Sequence, residues 1–189
     1  VNDRPKPMAD IGGKPFLEHL LNHYKNKQVN HFIISIGYKK DLIRNHFGSN
    51  FHGIPISYAE ENTPLGTGGA ILNAKKFLKT DNPFLILNGD TFFDISVTKF
   101  VKFHYNSQAL VSIALLRALE ENRYGGIKIN NKNRVVPVSD FKAKLNDLAN
   151  GGIYMLSPKI IEEFSDIKIP FSLEGSLFPA LFEKKIPIY

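Results

Sequence analysis

At 189 residues, 43% hydrophobic and 22% charged, the chain has the composition of an ordinary globular domain, long enough to bury most of its apolar surface. No apolar run approaches the roughly 18 residues of a membrane span, and no basic-then-apolar signal segment opens the chain, so no membrane partner is expected. The lack of cysteine excludes a disulfide framework, a thiolate metal site and a cysteine nucleophile, and makes a reducing cytoplasm the expected compartment. The net charge of +6 comes from scattered lysines (Lys39-Lys40, Lys75-Lys76, Lys184-Lys185) with no arginine-rich stripe. A phosphate-bearing small ligand accounts for that pattern, and no nucleic-acid partner is expected.

Taken in order, residues 1–13 read as a loop, because Pro5, Pro7 and Gly12-Gly13 interrupt regular structure. From Pro15, apolar positions Phe16, Leu17, Leu20, Leu21 and Tyr24 share one helix face, with proline in the first turn. Residues 31–37 are an apolar strand, 39–47 a short helix with Leu42, Ile43 and Phe47 inward, and 54–58 a second strand. A turn-rich loop over 62–67 leads into a helix over 68–78, with Ala70, Ile71, Ala74, Phe77 and Leu78 on one side. The unbroken apolar run Phe84-Leu85-Ile86-Leu87 predicts a strand covered on both faces, as in a parallel sheet. Strand alternating with helix predicts an α/β fold: a mixed, mostly parallel sheet with helices on both faces.

Beyond a helix near 96–105 the pattern changes. Residues 109–119, 124–129, 134–141 and 151–156 read as strands with fewer helices between them. Helices follow at 158–164 and at 172–183, the latter with Leu173, Leu177, Phe178, Leu181 and Phe182 on one face. The closing Ile186-Pro187-Ile188-Tyr189 reads as the start of a strand. The expected division is a nucleotide-binding half over 1–107 and a more antiparallel half over 108–189 that shapes a second ligand pocket.

Chemistry concentrates after Leu87, where polarity flips to Asn88-Gly89-Asp90-Thr91. Ligands of open α/β sheets sit beyond the carboxyl ends of strands, so Asp90 is delivered to such a place. A carboxylate beside a glycine suits Mg²⁺ whose oxygen shell is completed by phosphates; the alternative is that Asp90 caps the next turn. Upstream, Pro-Lys-Pro-Met puts Lys6 on a stiff extended segment. Gly-Gly-Lys-Pro-Phe puts Lys14 between a flexible pair and a helix. Leu-Gly-Thr-Gly-Gly-Ala, from Leu65 to Ala70, lies between a strand and a helix start, where glycines admit a ligand close to backbone N–H groups. Alternatively, the two lysines are solvated and Thr67 caps a tight turn.

Several known arrangements are excluded. Lys14 is followed by proline, so there is no P-loop, and Gly66, Gly68 and Gly69 lack the third glycine of the dinucleotide fingerprint. His19 and His23 stand four apart but have no accompanying glutamate signature, which makes them surface histidines. No Gly-x-Ser-x-Gly elbow is present.

Pro-Lys-Pro-Met, Gly-Gly-Lys-Pro-Phe, Pro-Leu-Gly-Thr-Gly-Gly-Ala, Leu-Asn-Gly-Asp-Thr and the Asn-Gly-Gly-Ile-Tyr of Asn150 to Tyr154 resemble, in this order, the sugar-1-phosphate nucleotidyltransferases (nucleotide-sugar pyrophosphorylases). Within that family the chain is most similar to the short bacterial guanylyltransferases for heptose or mannose 1-phosphate. The resemblance spans essentially the whole chain and implies a three-layer Rossmann-like nucleotidyltransferase fold. It implies attack of a sugar 1-phosphate on the α-phosphorus of an NTP, with loss of pyrophosphate, to make precursors of surface polysaccharide. It further implies Mg²⁺ as cofactor, an NTP and a sugar 1-phosphate as partners, and allows a homo-oligomer. Lys6 matches the family lysine on phosphate, and Asp90 the metal-binding aspartate. Glu61, Leu65, Gly66, Thr67, Asn88 and Gly89 fall on the nucleotide side. A carboxylate at Glu61 could accept both N1–H and N2–H₂ of guanine, which favours GTP; otherwise it is a solvated loop acid. Tyr124, Gly125, Lys144, Asn150 and Gly151 fall on the sugar-phosphate side, with Lys144 on its phosphate.

The chain departs from the family pattern in three places. It begins just after the expected Gly-Gly-x-Gly-Thr-Arg loop, and the second metal-binding aspartate is expected beyond Tyr189, so shortening at both ends is expected. Ala143 stands where glutamate usually precedes the sugar-side lysine. The alternatives are a nucleotide-sugar-binding regulator of the same fold, or an enzyme acting on a non-sugar phosphate such as phosphocholine.

Overall fold

The computed structural model describes residues 4–78, 81–120, 126–137, 143–164 and 167–189. It comprises two units, Val1–Lys79 with Ile167–Leu173, and Thr80–Asp166 with Glu174–Tyr189.

In the first unit the Gly12-Gly13 pair does more than interrupt a loop. Both residues take positive φ, +61° and +85°, which is the backbone a two-residue hairpin turn requires. They join β1 (Asp10–Ile11) to β2 (Lys14–Pro15) antiparallel, with the Asp10 carboxylate accepting from the Gly13 N–H at 3.1 Å. Lys6 is not on an extended segment as expected: Lys6–Met8 form one turn of 3₁₀-helix, closed by the Ala9 N–H donating to the Lys6 carbonyl.

Helix α1 (Phe16–Tyr24) comes next, as the apolar spacing predicts, and buries Leu17, Leu20, Leu21 and Tyr24. Strand β3 (Phe32–Ile36) precedes α2 (Lys40–Phe47), which buries Ile43 and Phe47. Leu42, expected inward, is exposed: Ile43 and Phe47 are four apart and share the core face, and Leu42 is turned off it. Strand β4 (Asn50–Phe51) folds back antiparallel onto β5 (Ile54–Glu60), which runs parallel to β3 in register from Phe32–Ile56 to Ile36–Glu60. Phe51 packs edge-on against Phe32 and Phe47, with centroids 6.3 and 6.0 Å away. Helix α3 (Gly66–Ala74) starts two residues before the sequence suggests and tightens into a 3₁₀ turn, Lys75–Phe77. Asn73 ties it to the end of β5 by donating to the Glu60 carbonyl at 2.8 Å.

In the second unit, β6 (Phe84–Leu87) is the expected strand, but its partner runs the other way. It pairs antiparallel with the late strand, from Leu87–Ile153 to Phe84–Leu156, and all four residues are half-buried rather than fully covered. Helix α4 (Val97–Asn106) is capped by Ser96, whose hydroxyl accepts from the Lys99 N–H. Strand β7 (Val111–Arg117) comes next. The strands expected over 124–129 and 134–141 contract to β8 (Lys128–Ile129) and β9 (Val135–Val136), while 124–125 and 138–141 lie outside the described residues. Strand β10 (Leu148–Leu156) is central, flanked antiparallel by β6 and β7. The closing residues do form a strand-like pairing: Ile188 lies parallel beside Val111, and the Tyr189 N–H and carbonyl bond to Val111 and Ile113. The helix expected over 172–183 begins as a π-helical turn, Leu173–Leu177, and continues as α5 (Phe178–Glu183). The described sheets are mixed and packed with helices, an α/β Rossmann-like class with less parallel pairing than the alternation predicts.

Near the centre of this unit is a polar group that sequence reasoning passed over. His104 is only 1% exposed and lies between two hydroxyls, with Nδ1 2.9 Å from Ser112 Oγ and Nε2 3.0 Å from Ser157 Oγ. The Ser157 hydroxyl donates to the Ala109 carbonyl at 2.9 Å, so its oxygen accepts from His104 Nε2–H. In the neutral ring, which burial favours, Nδ1 accepts from Ser112. Burial lowers the pKa of His104. A lowered native value means the unfolded chain takes up the proton first as pH falls. Stability is therefore full above the ordinary histidine range and declines as pH drops through it towards the native value. Urea titrations at pH 7.5 and 5.5 should show the wild-type midpoint falling on acidification, and falling less in His104→Gln. An equal fall in both would assign the pH dependence to other groups.

Candidate active site

Strand β6 delivers its polar end as expected. Asn88 and Gly89 are half-buried, and Asp90 is exposed at the tip of the turn. The turn is held from below: the Asn88 N–H donates to the Gly152 carbonyl at 3.0 Å, and the Thr91 hydroxyl donates to Asp90 Oδ1 at 3.4 Å. Asp90 is not the cap of α4, since Ser96 fills that position.

The partner of this turn is a bulge in β10, where the register with β7 shifts between Asn150 and Ile153. The two glycines of the bulge are required. Gly152 has φ +71°, and a Cβ there would come within 2.7 Å of the Asn88 side chain. A Cβ on Gly151 would come 2.5 Å from the Phe93 ring and 2.8 Å from the Ala114 carbonyl. Asn88 and Gly152 are thus bonded neighbours, which sets the Asn88-Gly89-Asp90 turn on the strand that pairs beside the Asn150–Ile153 bulge.

Asn150 is fixed on both sides of its amide. Its Oδ1 accepts from the Gly152 N–H at 2.9 Å, and its Nδ2 donates to Tyr154 Oη at 2.7 Å and to Glu174 Oε1 at 3.2 Å. The Tyr154 hydroxyl itself donates to Glu174 Oε1 in a short bond. Burial first, then the Glu174 charge and hydrogen bond, push the Tyr154 phenol well above its ordinary range, so it remains an O–H donor. Glu174 was not singled out from the sequence. It lies on the polar side of a segment whose apolar spacing reads as one amphipathic helix, and an acid on that side reads as solvated.

Lys144 is exposed in a turn closed by its own N–H donating to Asp147 Oδ2 at 2.9 Å. Its neighbour Ala143 is fully buried in a cluster with Ala118 and Ala149. Tyr124 and Gly125 lie outside the described residues.

In the first unit, Glu61 and Leu65 bound the loop before α3, and Gly66 and Thr67 open that helix. Glu61 Oε2 accepts from the Leu65 N–H at 3.2 Å, closing it. The glycines after Leu65 make room for the strap Ile167–Leu173. The Gly68 N–H donates to the Phe171 carbonyl at 3.0 Å, and the Phe171 N–H donates to the Leu65 carbonyl at 3.1 Å. Thr67 Oγ1 accepts from the Leu173 N–H at 2.9 Å, so it fastens the strap instead of capping a turn. Lys6 is exposed, and Lys14 forms a 2.8 Å ion pair with Glu18 four residues on. Hydrogen bonds from Lys14 and His46 hold the Glu18 carboxyl below its usual range. His19 is exposed and bonds to the Ile11 carbonyl, consistent with a surface histidine.

Among the described residues no group of three His, Cys, Asp or Glu side chains could hold a metal by itself. That donor set fits Mg²⁺ in one respect: Mg²⁺ keeps much of its shell for water and phosphate and needs only one or two carboxylates. Asp90, exposed beyond a strand end, is such a carboxylate.

The fold is shared with solved nucleotidyltransferases. HddC from Yersinia pseudotuberculosis superposes with a TM-score of 0.82 at 34% identity, over 94% of this chain and 77% of that one, and has also been solved complexed with GMP-PN. The D-glycero-alpha-D-manno-heptose 1-phosphate guanylyltransferase of Campylobacter jejuni is 38% identical over 177 residues, 94% of this chain and 77% of the relative. That of Aneurinibacillus thermoaerophilus is 38% identical over 187 residues, 98% of this chain and 79% of the relative. Residues 2–182 match the nucleotidyl transferase family, and the chain belongs to that family.

The strap against the glycine loop can be tested directly. A Cβ on Gly66 would lie 2.3 Å from the Phe171 carbonyl oxygen, at a φ of +75°. Gly66→Ala should therefore cost at least about 2 kcal/mol, read as a drop in urea midpoint. Thr67→Val, which removes one hydrogen bond, should cost about 1 kcal/mol.

Proposed function

We propose that the chain transfers a guanylyl group from GTP to a heptose or hexose 1-phosphate, forming a GDP-sugar and releasing pyrophosphate, with residues 1–107 serving the nucleotide and 108–189 the sugar phosphate. The observation that carries this reading is the Asn88-Gly89-Asp90 turn, braced on Gly152 with its carboxylate exposed. Its support from relatives is the 38% identity to enzymes named heptose 1-phosphate guanylyltransferases.

A phosphate oxygen of the sugar 1-phosphate attacks the α-phosphorus of the nucleotide, a new P–O bond forms, and the bond to the β-phosphate bridging oxygen breaks. A phosphate monoester with a second pKa of about 6 is already an anion at neutral pH, so no side chain has to remove a proton. The protein's work is to position two anions and offset their charge. Asp90 would hold Mg²⁺, which when bound neutralises the triphosphate. Lys6 supplies a positive charge to the phosphates, and Lys144 does so for the sugar phosphate. Glu61 is oriented by the Leu65 N–H, and its carboxylate keeps lone pairs to accept N1–H and N2–H₂ of guanine. Asn150 and Gly151 line the sugar side.

The test is pyrophosphate release by the full-length protein with each NTP and with heptose and mannose 1-phosphates. GTP should be preferred, and chelation should abolish turnover until Mg²⁺ is restored. Asp90→Asn should lower kcat about 100-fold and Lys6→Met at least about 10-fold. Both side chains are exposed, so the stability read from urea midpoints should change by less than about 1 kcal/mol, the range of one surface contact. Silence of the wild type with every pair of substrates would overturn the proposal.

A further inference from the structure

The sugar side contains a carboxylate that the proposed chemistry does not use. Glu174 is exposed, yet its Oε1 receives two hydrogen bonds, one from the buried Tyr154 hydroxyl and one from Asn150 Nδ2. Both amide hydrogens of Asn150 are therefore engaged, by Tyr154 and Glu174, and its Oδ1 has one lone pair directed to the Gly152 N–H. A flipped amide would place an oxygen against Glu174 and an N–H against the Gly152 N–H, and both contacts would be repulsive. The orientation of Asn150 is thus set by charge as well as by shape. What remains for a ligand is the second lone pair of Oδ1, so Asn150 meets a sugar as an acceptor. The other carboxylate oxygen of Glu174 is also an acceptor. Position 143 offers no carboxylate here: it is an alanine, fully buried with Ala118 and Ala149.

We infer that Glu174 is a positioning residue for the sugar 1-phosphate: through Tyr154 and Asn150 it holds an acceptor-only surface that selects hydroxyl donors of the sugar. The inference rests on the proposed transfer reaction. It adds a residue to the sugar side and leaves the nucleotide side unchanged, so its signature is a split between two Michaelis constants. A residue that only supported the fold would move both constants, or neither, along with stability.

The experiment compares wild type, Glu174→Ala and Glu174→Gln of the full-length protein. Pyrophosphate release gives KM for GTP and for mannose 1-phosphate, and calorimetric titration with mannose 1-phosphate gives a readout independent of turnover. Glu174→Ala should raise KM and Kd for mannose 1-phosphate about 10-fold, with KM for GTP within about twofold. Glu174→Gln, which can still present an acceptor to Tyr154 and Asn150, should recover most of the loss. The Asn150 side-chain amide signals should also move in Glu174→Ala and return in Glu174→Gln. An active wild type whose Glu174→Ala variant keeps both sugar constants within twofold, or raises both Michaelis constants alike, overturns this inference and leaves the transfer reaction standing. A wild type that neither turns over nor binds mannose 1-phosphate overturns both.

Discussion

The turn that presents Asp90 starts from a strand pairing that stays in register one residue longer than the strand itself. The Asn88 N–H donates to the Gly152 carbonyl, the step after the Leu87–Ile153 pair, while on its other side β10 carries two extra residues relative to β7 between Asn150 and Ile153. Bulges bend a strand and re-aim the side chains beside them. Here the bulge turns the Gly152 N–H onto Asn150 Oδ1 and leaves the Gly152 carbonyl for Asn88. Side chains at 151 or 152 would collide with Phe93 or Asn88, so the irregularity is written into two adjacent glycines.

The same exchange of roles appears in the glycine-rich loop of the first unit. A run such as Leu-Gly-Thr-Gly-Gly-Ala has two physical readings: an approach for a ligand, or an approach for another stretch of the same chain. The strap around Phe171 takes the second, occupying the Gly66 and Gly68 positions at distances no side chain there would permit. The segment is closed by Glu61 on one side and fastened through Thr67 to Leu173 on the other.

How much could be read from residues alone depends on where the information is local. Helices α1, α2 and α4 were legible because apolar residues recur at helical spacing, and the strand ends at Gly37 and Leu87 because polarity changes abruptly there. The direction of β6 was not legible. An apolar run of four is equally compatible with parallel and antiparallel neighbours, and its partner β10 lies some 60 residues away. The short hairpin at Gly12-Gly13 was visible as a turn, but two-residue strands carry no periodicity. Glu174 and Phe171 stayed hidden because their meaning lies in partners distant in sequence: Tyr154 and Asn150 for one, Gly66 and Gly68 for the other.

The serine–histidine–serine contact in the second unit constrains how this core can change. His104 donates to one hydroxyl and accepts from another, and Ser157 donates its own O–H to the Ala109 carbonyl. Removing His104 or Ser112 alone leaves the other with an unmet hydrogen-bonding group in the interior, whereas replacing both with apolar groups of matching volume leaves neither, and Ser157 keeps its backbone partner. Paths through sequence space at these positions are therefore stepped: single substitutions descend, and the neighbouring high ground is reached only by paired ones.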